Sequence, residues 1–550
     1  MWRKDRGSQP EPSPRLVSKS RATRGTIGEL VTVDGLRLLQ VRGFGLVVDL
    51  PDTGGSDGPE VVRKYLIKEI RRHQKPGDAD IPASEMLKGR DTAMVEVTGL
   101  VPAAAEKGDS FDVVIRALGT QTKSLACGRL FLCNLKAYAD TIDGVLGGKT
   151  VATATGPLFV SPIGLRQDVP KKIDLRTGLV LGGGSVRRLR HVRLVLNDPS
   201  PSIARRIEDR INGRYTKAEP IAEGQSHTTV ELTIPKAYHG RKRLFLEHIL
   251  HTTLNADPAA LRRKAKTLAE EVAHPDAEFE SIGVAWEAIG RIALPVICEL
   301  YNHPLPAANY IAGRAGMRLG DNAGMEAVAR HAMNPDSAFR GDAIDELGYA
   351  VKMHGAGEYL RKLLNDSDNA VRIRVYKALR RRPHPAIETK VLYEDNLILD
   401  VLDSTGAYLI YIQRSATPRI AVFGPHMRCK PPAMYPGDRR DDRFLHTQIS
   451  AQQDDKDLTV IYKNKRSSKT SPKLSASFNV AKLVQFLGDT PIEGDAGRLE
   501  ALGVPYDEIV DILHTFCDVG TIPAELIAED LRDAADTKLD SLRERTESEY

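Results

Sequence analysis

The sequence predicts an α+β protein of several domains: a β-rich N-terminal domain, a small α+β domain, an inserted α-solenoid and an α+β C-terminal domain. Three observations predict it. At 550 residues the chain is too long for one hydrophobic core. Short β segments set off by Gly-rich turns fill residues 26–170 and return after 385. Residues 256–385, between them, read as helix and repeat themselves. The division that follows is a disordered basic tail at 1–25, the β-rich domain at 26–170, the small α+β domain at 171–255, the repeats at 256–385, the C-terminal domain at 386–531 and a charged tail at 532–550.

Composition narrows the function. Hydrophobic residues are 41% and charged residues 27%, as in soluble globular protein. A net charge of +5 from 78 basic and 73 acidic residues does not call for nucleic acid, and 5% aromatics leave little to stack bases on. No run approaches the ~18 apolar residues of a membrane span. The opening residues lack the apolar stretch of a secretory signal. Five cysteines form no C-x-x-C pair, and Cys127 and Cys133 read as small buried apolar residues on one face of a strand.

In the first domain Leu46-Val47-Val48, Ala93-Met94-Val95-Glu96-Val97 and Phe111-Asp112-Val113-Val114-Ile115 read as strands. A helix at 59–74 carries Val61, Tyr65, Leu66 and Ile70 at helical spacing. In the second, a strand at 192–196 leads through Pro199 and Ser200 into a helix with Ile203, Ala204, Ile207 and Ile211 inward. A strand at 228–234 and a helix at 244–254 complete it.

The helical region opens successive helices with His274-Pro275-Asp276, Asn302-His303-Pro304, Asn334-Pro335-Asp336 and Asn365-Asp366-Ser367, spaced 28, 32 and 31 residues apart. Ala338-Phe339-Arg340 with Ala343, Ile344 and Leu347 matches Ala370-Val371-Arg372 with Val375, Tyr376 and Leu379. Such a period marks short HEAT-type repeats, which bury their faces only against one another. Beyond 385, strands are expected through 397–412 and 420–422, exposed loops or hairpin tips at 438–443 and 463–469, and helices at 480–487, 505–516 and 523–531. The final residues read as a charged helix or frayed tail.

Catalytic patterns do not assemble. Gly147-Gly148-Lys149-Thr150 lacks the first glycine of a phosphate loop at the required spacing, and strand-like sequence follows it. Gly43-Phe44-Gly45 lacks the third glycine of a dinucleotide fingerprint and reads as a turn into a strand. Glu247-His248 and His251 put two histidines at i and i+3 where a zinc protease needs i and i+4, so solvated histidines are expected there. No cofactor, metal site or catalytic residue is expected.

Several segments, in order, resemble the bacterial flagellar basal-body P-ring family. Val41-Arg42-Gly43-Phe44-Gly45-Leu46-Val47-Val48 with Asp52-Thr53-Gly54 is similar to its opening signature. Asp91–Val97, Val101-Pro102-Ala103 and the block from Phe111 to Leu125 follow, then Ala152-Thr153-Ala154-Thr155-Gly156-Pro157-Leu158. Leu194–Ser200 with Ala204, Ile207, Ile211 and Asn212 resembles the family's second unit. Near the end Asn479–Val484, Leu502-Gly503-Val504 and Gly520–Leu526 resemble its closing segments. The repeats interrupt the family pattern as an insertion, and the charged tail extends it.

The resemblance implies a non-enzymatic ring subunit that self-assembles into a homo-oligomeric bushing around the rotating flagellar rod, in the periplasm at the peptidoglycan layer. The implied partners are the rod, the L-ring protein, a periplasmic P-ring assembly chaperone and peptidoglycan. Arg90 and Lys123 match basic positions of the family's N-terminal domain and are the rod-facing candidates. Some members carry a cysteine pair near their C-terminal core; Cys429 and Cys517 lie close to those places, and an extracytoplasmic compartment would permit their disulfide. Two alternatives remain: a monomeric adaptor that keeps the ring-protein fold and binds partners through its repeats, and a polysaccharide-acting enzyme with an acid pair in a cleft.

Overall fold

A computed structural model describes residues 22–73, 82–138, 147–162, 174–215, 219–392, 397–436, 438–440, 443–463, 470–491 and 501–530. The charged tail expected at 532–550, nearly all of the tail at 1–25 and most of the loop at 463–469 lie outside these residues. The fold is mixed α and β: strands dominate the N-terminal part, helices the middle, and strands return at the C-terminal end. It forms two compact units, one made of residues up to Arg37 with Arg190–His384, the other of Leu38–Leu189 with Pro385 onward.

The chain enters the first unit as strand β1 (Val31–Asp34) and then builds a barrel in the second. Strands β2 (Leu39–Val48), β3 (Ala93–Val101), β4 (Ser110–Ala117), β5 (Arg129–Ala137), β6 (Thr150–Pro157) and β7 (Thr177–Val186) close in the order β2-β3-β4-β7-β6-β5. Every pairing is antiparallel. Strand β7 lies beyond residue 170, so the barrel runs past the boundary drawn from sequence. Inward positions alternate along each strand, and Val95, Val97, Val113, Ile115, Leu130, Leu135 and Val180 fill the interior. Gly43-Phe44-Gly45 is not a turn but the middle of β2. A Cβ on Gly43 would lie 2.5 Å from the Asn134 carbonyl oxygen, so glycine lets β5 approach where the β2–β5 register breaks. Helix α1 (Glu60–His73) covers the outer face, setting Val62, Leu66 and Ile70 on Phe44, Leu46 and Met94.

Back in the first unit come β8 (Val192–Leu196), α2 (Pro201–Tyr215), β9 (Ala222–Gly224), β10 (Thr229–Leu232) and α3 (Lys242–His251). The sheet order is β1-β8-β10-β9, with Val31 opposite Leu196. Helices α4 (Pro258–Val272), α5 (Phe279–Ile289), α6 (Pro306–Arg318), α7 (Asn322–Met333), α8 (Arg340–Tyr349), α9 (Ala356–Leu363) and α10 (Asn369–Leu379) follow. Asp257, Asp321 and Asp368 cap α4, α7 and α10 by accepting from backbone N–H groups, and Pro258 and Pro306 sit in first turns that need no donor. The recurring Asn/His-Pro-Asp turns fall just before α5, α6, α8 and α10.

Charge alternates through this packing. His248 on α3 meets Glu287 on α5 at 2.6 Å. Arg318 on α6 reaches both Glu287 at 2.8 Å and Glu346 on α8 at 2.5 Å, and Arg314 donates to Glu280 at 2.9 Å. Arg374 on α10 donates to Asp345 on α8 at 2.9 Å, and Arg381 donates to the Asp345 carbonyl at 3.0 Å. Burial would raise Glu287 and Glu346, yet Arg318 beside both holds each carboxyl down to about 2.

The chain ends in the second unit. Strands β11 (Ile387–Leu392), β12 (Leu397–Leu402), β13 (Leu409–Gln413), β14 (Arg419–Phe423) and β21 (Glu525–Ala528) make a mixed sheet in the order β11-β12-β14-β13-β21. Strands β15 (Ala433–Tyr435), β18 (Thr447–Ala451), β19 (Leu458–Tyr462) and β20 (Leu474–Ala476) make a second sheet, and β16 (Asp438–Arg440) and β17 (Arg443–Leu445) form a hairpin at one of the expected tips. Helices α11 (Val480–Gly488) and α12 (Tyr506–Asp518) pack Leu483, Val484, Ile509, Leu513 and Phe516 into their shared core. The helix expected at 523–531 is instead strand β21: Leu526 and Ala528 alternate inward, and β13 offers an open edge for parallel pairing. Asp112 of β4 accepts from Gly182 at 2.6 Å and Ala416 at 2.9 Å, fastening the barrel to this domain.

Candidate functional site

Leaving β2, the chain turns through residues 49–58 at one end of the barrel. Asp49 and Asp52 take left-handed backbone, with φ of 62° and 56°. Gly54 then slips between two neighbouring segments: its N–H donates to the Arg90 carbonyl at 2.7 Å, and the Lys123 N–H donates to the Thr53 carbonyl at 2.8 Å. A Cβ on Gly54 would stand 2.1 Å from the Thr92 carbonyl oxygen, so only glycine fits. The Thr53 hydroxyl donates to the Ser124 carbonyl at 2.8 Å. Asp57 closes the loop by accepting from the Thr120 hydroxyl at 2.8 Å and the Gln121 N–H at 3.1 Å. Slight desolvation raises the Asp57 carboxyl, and the hydrogen bonds from Thr120 and Gln121 outweigh it and hold it low.

The fold thus sets Arg90 and Lys123, far apart in sequence, on either side of the Thr53-Gly54 loop, and both are exposed. Two exposed cations thus flank a braced loop. They carry no nucleophile or general base.

Cys429 and Cys517 come together in the C-terminal domain. Lys430 donates its N–H to Thr521 at 2.7 Å, and Gly520 donates to Cys517 at 3.1 Å, so the two cysteine-bearing segments adjoin. Both are thiols in this structure. Burial pushes each up to about 12, and Asp518 and then Cys429 add to the rise at Cys517.

Other expectations change. His248 and His251 are not solvated but 8% and 4% exposed, because α5 lays Glu287 and Ser281 over them. Cys127 lies in a turn with φ of 65°, while Cys133 is buried in β5. Among the described residues no group of three His, Cys, Asp or Glu could hold a metal, and no single helix is long and apolar enough to cross a membrane.

A filled antiparallel barrel thus carries a braced loop flanked by two cations and is fastened to a two-sheet domain. Comparison with known proteins shows what part of the chain is similar to. Residues 26–262 match the model of the family described as Flagellar P-ring protein. Flagellar P-ring protein 1 of Photobacterium profundum is 29% identical over 214 residues, covering 38% of this chain and 54% of the relative. The flagellar P-ring protein of Nitrosospira multiformis is 31% identical over 199 residues, covering 34% and 50%. That of Geobacter sulfurreducens is 25% identical over 350 residues, covering 60% and 89%. The chain spans about half the length of the first two relatives. Residues 26–262 are thus similar to the flagellar P-ring family, in the segments whose motifs resemble it.

Sequence reading missed the charge chain centred on Arg318 and the buried Glu508. One signal pointed to the first: Glu287 stands alone in the apolar run from Ile282 to Ile289.

Proposed function

We propose that the chain is a structural, non-enzymatic subunit of the flagellar basal-body P ring that assembles with copies of itself into a periplasmic bushing around the rod. The braced Thr53-Gly54 loop carries this reading, because the family's signature glycine sets Arg90 and Lys123 on one exposed rim. A bushing must let its shaft turn. Exposed charges, screened within about 8 Å at physiological ionic strength, oppose sliding less than interlocked apolar side chains. On this reading Arg90 and Lys123 face the rod, and the L-ring protein, a periplasmic assembly chaperone and peptidoglycan are the neighbouring partners. Helices α4 to α10 are a HEAT-like insertion in the family pattern, an arm for a further protein contact.

The test is electron microscopy of the full-length protein mixed with flagellar rods, beside the double variant Arg90→Glu/Lys123→Glu. Rings around rods are expected for the parent protein, with at least tenfold fewer for the variant at unchanged thermal stability. Equal ring counts would remove the rod-facing assignment. A parent protein that stays monomeric and ignores rods would favour an adaptor working through its helices.

A further inference from the structure

The alternating charges of the helical stack stop on a positive member. Reading outward, α3 contributes His248, α5 Glu280 and Glu287, α6 Arg314 and Arg318, α8 Asp342, Asp345 and Glu346, and α10 Arg374 and Arg381. Each layer mates with the opposite sign before it, and the next in sequence after α10 would be acidic. The last hairpin is charged accordingly. Residues 351–384 hold nine Lys and Arg against three Asp and Glu, an excess larger than the +5 of the entire chain. Lys352, Arg361 and Lys362 are exposed on this hairpin. Arg382 lies over Gly357 with Nε and Nη2 buried and without an acceptor. Val351 is the one large apolar residue exposed in this stretch, so the face is built for charge.

The matching acid row lies in the chain's own sequence. Asp533, Asp536, Asp540, Glu544 and Glu547 recur at spacings of 3, 4, 4 and 3, which on a helix fall along one face. Residues 529–550 carry eight Asp and Glu against four Lys and Arg. No described helix of the chain presents an exposed acid row of that length. We propose that the basic face of α9 and α10 docks the acidic segment 533–547 of a second copy. The inference rests on the self-assembly proposed above. Each copy then brings one basic cap and one acidic tail, a head-to-tail contact that repeats from subunit to subunit.

The test mixes full-length protein grown in light nitrogen with full-length protein grown in heavy nitrogen. The mixture is treated with a carbodiimide that joins lysine to carboxylate, and the cross-linked peptides are read by mass spectrometry. Sedimentation of the same samples reports assembly separately. Mixed-label links from Lys352, Lys362 or Lys377 to the acids of 533–547 are expected at about 0.01 M salt, falling at least tenfold near 1 M. The tail variant Asp533→Asn/Asp536→Asn/Asp540→Asn, which alters no described contact, should lose the links at least tenfold, as should Lys362→Glu/Lys377→Glu. Assembled protein without mixed-label cap-to-tail links overturns this docking and leaves the ring reading standing. Links confined to one label overturn the second copy as occupant. Protein that neither assembles nor links overturns both.

Discussion

Glu508, 3% exposed near the start of α12, accepts the N–H groups of His446 and Thr447 at 2.7 Å each on one oxygen. Burial pushes its carboxyl up to about 7, against the pull of Thr447 and the two N–H donors. A folded value above the ordinary carboxylate range favours the neutral acid. Its stabilisation is therefore complete below about pH 4.5 and is lost as pH rises through 7, by about 3 kcal/mol in all. Glu508→Gln, which keeps the accepting oxygen, is expected to flatten the fall in urea midpoint between pH 5 and pH 8; an unchanged slope would remove Glu508 as its source. Gly54→Ala should cost about 1–3 kcal/mol, read by thermal unfolding, because the backbone oxygen of Thr92 must give way. The two residues differ in legibility. Gly54 belongs to a motif that sequence displays, whereas Glu508 looks like any first-turn acid until β18 is seen to pack over it.

Helices hold one another here through few charges, and Arg318 is the centre. Removing it as Arg318→Ala leaves Glu287 and Glu346 buried with less compensation and should destabilise the helical unit by about 3–5 kcal/mol in chemical denaturation. Arg243→Ala, which breaks the more exposed pair with Glu247, should cost no more than about 0.5 kcal/mol. If the two variants unfold alike, the buried chain contributes nothing special. Because both carboxyls are held down to about 2, their contribution is present above the ordinary carboxylate range and fades as pH falls toward 2, so helix content should be lost there. Helix positions were legible because periodicity and turn residues are local signals. Register between helices was not, since Glu287, Arg318 and Glu346 meet only after packing. The same limit turned β21 into an expected helix: four residues carry little periodicity, and the edge of β13 decided the matter.

At the scale of the molecule, the chain passes between its two units at 37–38, 189–190 and 384–385. In the sequence, strand β7 reads like its successor strands, although it pairs with β4 and β6 in the barrel. The compartment in which the protein matures should be written in its cysteines. Material exported to the periplasm is expected to yield a linked Cys429–Cys517 peptide on non-reducing digestion, and cytosolic material the free thiols. Free thiols in both would sink the bond. Strand β1 adds a matter of timing. Its Thr32 hydroxyl bonds Asn197, a partner 165 residues later, and the whole barrel is spelled out between them. At about 5–20 residues per second, ribosomal synthesis leaves β1 waiting on the order of ten seconds for β8. Strand β1 thus stays without its partner until every strand of the barrel has been synthesised, and a chaperone that grips extended apolar segments would meet β1 first.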